Sequence, residues 1–571
     1  MTRFKDIPSM KSSIKHSISS LLEEEQNLCP NSKSRGGGIS VCLVYPNRYN
    51  TGMSSLGFQT AYRLLTEAPG IVCERAFLPD RDELVSLQRS GRPLLSMEGK
   101  RPLADFDVIA FSTSFEPDYL NIPLMLNLAR IPLQSAQRSE RHSLVIAGGA
   151  AFFINPEPVA DFFDIICIGE GEELIPALAA ALNSTSTGGR QDLLQQLANQ
   201  PGFYIPAFYV PHYRAGNFAG YETKVNAPTQ IRRVCPSLEA HPPAQSVILS
   251  EHTEFGDMFL VEVSRGCPRG CRFCSSGFIY APFRQQPYDN LVAAVDQGLL
   301  HRSKIGLVGA AVSDYRDIGR LCRHIVDKGG RVSVSSLRVD CIDEQMLDAL
   351  IASGHKTIAL APEGGSQRMR DIIRKNLTEE QILSACDRLI SRDILNLKLY
   401  FIIGLPTETM ADLEEMIRLV KTIRERVIEK AKANRRLGEI TLSVNPFIPK
   451  PFTPFQWCGM EPLPSLEKKV KFLESHLRSL SNVKMKVESL KGCYLQALLS
   501  RGDRRCAPLL EEMAKGSNLK QSARLCGLDT DGYVHRSIPL EAPLPWDILG
   551  TANTGKLKEE YGRAFASSKD C

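Results

Sequence analysis

From Ile39 onward, short apolar runs alternate with stretches whose apolar residues recur at helical spacing. The runs Ile39 to Tyr45, Val72 to Leu78, Val108 to Phe111, Leu144 to Ala147 and Phe162 to Ile168 predict strands. The stretches 53 to 66, 118 to 131 and 172 to 182 predict helices between and after them. Strands separated by helices form parallel sheets covered on both faces, so residues 39–183 are expected to fold as a doubly wound, flavodoxin-like α/β domain. Ahead of it, residues 1–38 form a polar leader. There Ile14, Ile18, Leu21 and Leu22 outline a short amphipathic helix before Gly36-Gly37-Gly38, and loose docking is expected.

Residues 184–245 are rich in Pro, Gly and Asn and predict a connector with short strand-like pieces such as Phe203 to Val210. A second alternating series then begins. Strands are expected near 258–263, 305–308, 331–335, 356–360, 396–403 and 440–445. Helices are expected at about 287–301, 315–328, 343–352, 378–391 and 409–430. This makes residues 246–460 a second parallel α/β unit, whose site would lie at the carboxyl ends of its strands. After it comes Val444-Asn-Pro-Phe-Ile-Pro-Lys-Pro-Phe-Thr-Pro-Phe-Gln-Trp457, too rich in proline for a helix. Residues 461–571 predict a helical accessory region, with helices over 465–481 and 492–515.

The first strand of the second unit runs into Cys267-Pro-Arg-Gly-Cys271-Arg-Phe-Cys274, three cysteines at C-x3-C-x2-C spacing. A cubane cluster takes one thiolate per iron, so three cysteines would leave the fourth iron open to a small molecule. Tetrahedral zinc would need a fourth ligand, and neither a second C-x2-C nor a close histidine supplies one; His252 lies upstream of the strand. The other cysteines of the sixteen are scattered, which predicts a reducing, cytoplasmic setting. No apolar run reaches the length of a membrane span, and no signal-peptide core is present, so neither membrane insertion nor export is expected. A net charge of +5 over 571 residues excludes a dedicated basic nucleic-acid binder, while local patches such as 501–505 leave nucleic-acid contact open.

This triplet, with Phe273 before its last cysteine, resembles the signature of the radical S-adenosylmethionine (SAM) superfamily. The resemblance implies a partial (β/α)6 barrel in which a [4Fe-4S] cluster on Cys267, Cys271 and Cys274 binds SAM and cleaves it to a 5'-deoxyadenosyl radical. It also implies a reductant protein such as a flavodoxin or ferredoxin, and a substrate that the motifs do not name. By position in the family pattern, the SAM contacts fall on Phe273, on Gly309, Ala310 and Ala311 after the second strand, and on Ser336 and Arg338 after the third. Glu363 after the fourth, placed for ribose hydroxyls, and Gly404 after the fifth complete the set. Arg338 is left between the methionine carboxylate and Asp340, and no catalytic residue is assigned.

The glycines in 147–158 and in Gly169-Glu-Gly-Glu172 resemble those of the cobalamin-binding-like domain found ahead of many such barrels. In place of that family's Asp-x-His-x-x-Gly stands Asn47-Arg-Tyr-Asn-Thr-Gly52, so cobalamin is expected, if bound, without a lower histidine ligand. Two other readings stay open: an RNA-modifying methylthiotransferase, which would bring a second three-cysteine cluster, and a non-catalytic iron-sulfur carrier or sensor.

Overall fold

The computed structural model describes residues 18–29, 38–184, 189–224, 227–334, 337–434 and 437–566. The first sheet consists of β1 (Ile39–Tyr45), β2 (Ile71–Phe77), β3 (Val108–Ser112), β4 (Leu144–Gly148), β5 (Ile165–Cys167) and β6 (Phe203–Tyr204). Its order is β2-β1-β3-β4-β5-β6. The first five strands are parallel and β6 is antiparallel. This is the flavodoxin-like order, in which β1 and β3 part their connections to opposite faces and leave a crevice at their carboxyl ends. Val41, Cys42, Leu43 and Val44 are all buried, as a central parallel strand with both faces covered requires.

The second unit contains β7 (Phe259–Glu262), β8 (Lys304–Val308), β9 (Arg331–Val334), β10 (Thr357–Glu363), β11 (Asn396–Ile403), β12 (Ile440–Pro446) and β13 (Val483–Val487). They form two parallel sheets, β7-β8-β9 and β10-β11-β12-β13, joined by a parallel bridge between Leu337 and Leu360. The result is an open barrel with the six expected strands, extended by β13 from within the region expected to be helical. Leu397, Leu399 and Phe401 point outward into the core, and the helices Glu379–Ser391 and Met410–Asn434 pack side by side outside the wall. Thr378 caps the first of these in a reciprocal capping box with Gln381.

The flanking segments dock more firmly than their sequence predicts. In the leader, Gln26–Asn27 pairs with Ile248–Leu249, and Glu25 forms a 2.6 Å ion pair with Arg75 in which both side chains are buried. Ile14, Gly36 and Gly37 lie outside the described residues. The connector contains β6 and a hairpin, Tyr209–Arg214 with Asn217–Thr223. The expected helix 492–515 is two, Leu490–Arg501 and Cys506–Ala514, broken at Gly502. Both pack against the turns that follow β3 and β4, where Asn155 donates to the Ser500 and Gly502 carbonyls and Arg504 pairs with buried Glu157 at 2.9 Å. Among the described residues no helix is long and apolar enough to cross a membrane.

Candidate active site

The three cysteines lie on one loop that leaves β7 and is closed by the antiparallel pairing of Ser264–Arg265 with Arg284–Gln285. Cys271 is buried, and Cys267 and Cys274 are half-buried. The loop is held from beneath by the segment after the helix Gln367–Ile372: the Arg272 amide donates to the Ile373 carbonyl, and its guanidinium to that of Ile372. The Arg272 carbonyl in turn accepts from the Phe455 amide. Phe273 packs into an apolar cluster with Met369, Ile373, Phe447 and Phe455, which anchors the loop beside Cys274.

Burial pushes the Cys271 thiol up to about 11, Lys375 and Arg338 pull it down, and Cys274 and Cys267 raise it further. The thiols are thus near enough to feel one another's charge, and two cations stand ready to offset thiolates. Among the described residues, no three His, Cys, Asp or Glu side chains converge to hold a single metal ion. A cubane does not need such convergence, because each thiolate binds a different iron. One loop, three thiols and flanking cations fit a cluster.

Four strand ends surround this loop. After β8, Gly309 passes so close to Ser264 that a Cβ would stand 3.0 Å from its hydroxyl, Ala310 is exposed and Ala311 is buried. After β9, Arg338 pairs with Asp340 at 2.9 Å, so the structure gives this guanidinium a carboxylate within the chain. Arg269, from the cysteine loop, reaches Asp314 through its Nε at 3.0 Å, Asp340 at 3.3 Å and the Cys341 sulfur at 2.9 Å. Ser336 lies outside the described residues.

At the end of β10, Glu363 has φ +64°, a left-handed backbone that costs a non-glycine residue about 1–3 kcal/mol. Its carboxylate pairs with the largely buried Lys375 at 3.3 Å. Such strain persists only where the surroundings impose it, and it clusters at ligand sites. Gly404, after β11, has φ +73°, and a Cβ there would stand 2.8 Å from Leu466. Its amide donates to Glu408, a carboxyl that burial raises to about 7 and that Lys469 pairs at 2.8 Å. The turn at Gly404 is therefore pinned from behind by the helix Leu463–Leu477.

The carboxyl edge of the first sheet faces this mouth. Arg265, two residues before Cys267, reaches Glu170 at 2.6 Å, Glu172 at 2.9 Å and Glu262 at 2.6 Å. Arg284 adds a second bond to Glu170, and Phe153 meets Tyr280 with ring centroids 5.8 Å apart. The glycine motifs expected to line a cleft are used in these contacts: Gly149 lies against the Thr113 backbone and Gly169 bridges to Val234. What stays available is the β1/β3 crevice. There Asp118 accepts from the Asn47 side chain at 2.7 Å while its other oxygen is buried without a partner, and Phe115 is 60% exposed.

Lys375, Asp314 and the Glu170–Arg265 clamp were not singled out from the sequence. The clamp had a signal in the acidic pair of Gly169-Glu-Gly-Glu172 and in Arg265 beside the cysteines. Lys375 had none, since it is brought to Glu363 by left-handed turns at Arg374 and Asn376.

Two family models match the chain: "Radical SAM proteins, N-terminal" over residues 57–206 and "Radical SAM superfamily" over residues 261–420, which include the cysteine loop. An uncharacterised protein of Methanocaldococcus jannaschii is 28% identical over 477 residues, spanning 83% of this chain and 90% of the relative. A tRNA-2-methylthio-N(6)-dimethylallyladenosine synthase of Coxiella burnetii is 26% identical over 183 residues, 29% of this chain and 41% of that one, so the chain spans less than half of that enzyme. Among solved structures, the cobalamin-dependent SAM radical enzyme OxsB with aqua-cobalamin and SAM bound aligns at 16% identity and a TM-score of 0.44, covering 70% of this chain and 56% of that one. By its two family matches, the chain belongs to the radical SAM superfamily as an enzyme, and a [4Fe-4S] cluster and SAM are the cofactors that superfamily implies.

Proposed function

We propose that Cys267, Cys271 and Cys274 hold the cluster and that the barrel mouth holds SAM for reductive cleavage, with hydrogen abstraction from a substrate carbon inside the barrel. When bound, the cluster supplies the electron that splits SAM into methionine and the 5'-deoxyadenosyl radical. The observation that carries this reading is the meeting of the three-thiol loop with a strained carboxylate, Glu363, at the carboxyl ends of neighbouring barrel strands. Glu363 would accept hydrogen bonds from ribose hydroxyls, and its pairing with Lys375 at 3.3 Å holds the carboxylate in place. Small residues at 309–311 let backbone carbonyls approach the ligand. The apolar cluster around Phe273 and the final helix Thr554–Ala566, which reaches Arg272 through Glu560 at 3.2 Å, exclude water from beneath the loop. A reductant protein is the partner this chemistry requires.

The test is anaerobic reconstitution followed by iron analysis and SAM titration, with Cys271→Ala as the control. About four irons and SAM binding in the native chain, both lost in the variant, support the assignment. Full iron in the variant overturns it.

A second reading adds a corrin at the β1/β3 crevice, favoured by the unpartnered Asp118 oxygen and the exposed Phe115 at the sheet edge that faces the mouth. Asn47, Ser114 and Asp118 would contact its edge amides, and no histidine in the loop after β1 would reach the metal. Hydroxocobalamin retained near one equivalent after desalting supports it, and none retained leaves the first sheet as a brace. A methylthiotransferase reading gains nothing from the geometry. Cys29 and Cys42 are buried, Cys42 inside β1 with Cys73 on the adjacent strand, and the described residues show no metal-binding group there.

A further inference from the structure

The inner face of the open barrel carries a set of cations that the cosubstrate site does not use. Parallel register aligns Ala359 with Lys398, Lys398 with Thr441 and Thr441 with Lys484. Two residues further along, it aligns Tyr400 with Ser443 and Ser443 with Lys486. Register neighbours share a face, and that face is the inner one, because the alternate residues are committed elsewhere. Leu397, Leu399, Phe401, Leu442 and Val444 are buried in the outer core, and Val483, Met485 and Val487 pack against it.

Charge on this face is unbalanced. Glu439 pairs with Lys484 and is the acidic side chain at the base of β12. Lys398 has no carboxylate partner among the described residues, and Lys486 shares Glu439 with Lys484. The Lys398 ammonium instead lies 4.6 Å from the centroid of the Tyr400 ring. Lysines on the edge strand β13 would be explained by protection of an exposed edge. That explanation does not extend to Lys398, which stands on β11 between two paired strands. Beside it opens a cavity of about 210 Å³ lined by Val334, Leu337, His355, Thr357, Lys398 and Tyr400. A half-buried ammonium with no carboxylate beside it, at the wall of a cavity, offers a charge that an anion entering the cavity would balance.

We propose that this face binds the phosphate of a small phosphorylated substrate through Lys398, Lys484 and Lys486, with Tyr400 against its body. Lys398 lies three residues before Phe401, the register partner of Glu363, a rise of about 10 Å. A molecule anchored on the lysines therefore spans the barrel and presents its far carbon at the mouth. The assignment of that far end rests on the radical SAM reading above; the anion site does not.

Inorganic pyrophosphate is the probe, titrated calorimetrically into the anaerobically reconstituted full-length protein at constant ionic strength. Saturable binding is expected, weakened at least tenfold in the triple variant Lys398→Gln, Lys484→Gln, Lys486→Gln, with iron content and SAM affinity unchanged. Lys398→Gln alone is expected to weaken it at least threefold, which keeps the test decisive should the triple variant not fold. No saturable binding, binding unchanged in the variants, or tighter binding of citrate than of pyrophosphate would each overturn the proposal. Pyrophosphate binding by a native, fully clustered chain that fails to cleave SAM would overturn the radical reading and leave the anion site standing.

Discussion

The chain builds a parallel α/β sheet twice, and the carboxyl ends of the strands finish in opposite states. In the first sheet most of them are tied into other parts of the molecule: β3 ends at Glu116, paired with Lys450 at 2.5 Å, β4 at Asn155 and Glu157 under the C-terminal helices, and β5 at Glu170 clamped by Arg265 and Arg284. In the barrel the ends carry thiols, a left-handed glutamate and a ring of charged groups around an opening. The general rule that ligands sit at these ends holds for both architectures. The difference shows how one chain can spend one sheet's binding edge on fixing the other's. Arg265 is where the two meet, since it joins three carboxylates from both units two residues ahead of the first cysteine.

The contrast breaks most sharply at the thiols. Cys271→Ala is expected to abolish iron and sulfide retention on reconstitution, whereas Cys42→Ala, in the first sheet, leaves both intact; chemical analysis after desalting reads the difference. Next in size is the clamp. Arg265→Met leaves Glu172 and Glu262 buried without their cation and is expected to destabilise the chain by about 3–5 kcal/mol in denaturant titration of the apoprotein. A loss below about 1 kcal/mol would mean that the two sheets are not braced through this residue.

Glu363→Gln is expected to weaken SAM binding about tenfold, equivalent to about 1.4 kcal/mol, with iron content unchanged. An unaltered titration would confine Glu363 to its pairing with Lys375. The smallest effect belongs to Asp118. Burial raises its carboxyl from the ordinary 3.8 to about 7, the Asn47 hydrogen bond opposes this, and Glu116 adds to it. A raised folded value means that the protonated side chain favours folding: its contribution is complete below pH 4 and is lost as pH climbs through 7. Asp118→Asn should therefore leave stability near pH 4 little changed and raise it by on the order of 1 kcal/mol at pH 8. Thermal melts at the two pH values decide this, and equal shifts at both would show that the crevice carboxylate is already satisfied.

Elements with strong local patterns were legible in the sequence. β11 spans 396–403 as expected, and the helix after Thr378 begins at its capping box. The cysteine loop is readable because its chemistry is packed into eight residues. β13 leaves only a faint trace in the sequence: Val-Lys-Met-Lys-Val alternates perfectly, but five residues beside a strong helix pattern carry little weight. The expected strand 162–168 shrinks to Ile165–Cys167, since Glu157–Phe162 forms a 3-10 turn that buries Glu157 against Arg504. The pairing of Glu363 with Lys375 and the clamp of Glu170 by Arg265 are tertiary. They join residues through turns or across 95 positions, and no periodicity marks them. Arg338, which the sequence left between two partners, is claimed in the structure by Asp340.

The central claim is that the barrel mouth performs reductive cleavage of SAM. The direct measurement is chromatographic detection of 5'-deoxyadenosine after the anaerobically reconstituted chain is mixed with SAM and a low-potential reductant. The account predicts 5'-deoxyadenosine and methionine in equal amounts from the native chain and neither from Cys271→Ala. A fully clustered native chain that binds SAM and yields no 5'-deoxyadenosine, or a yield that persists in the variant, would contradict it.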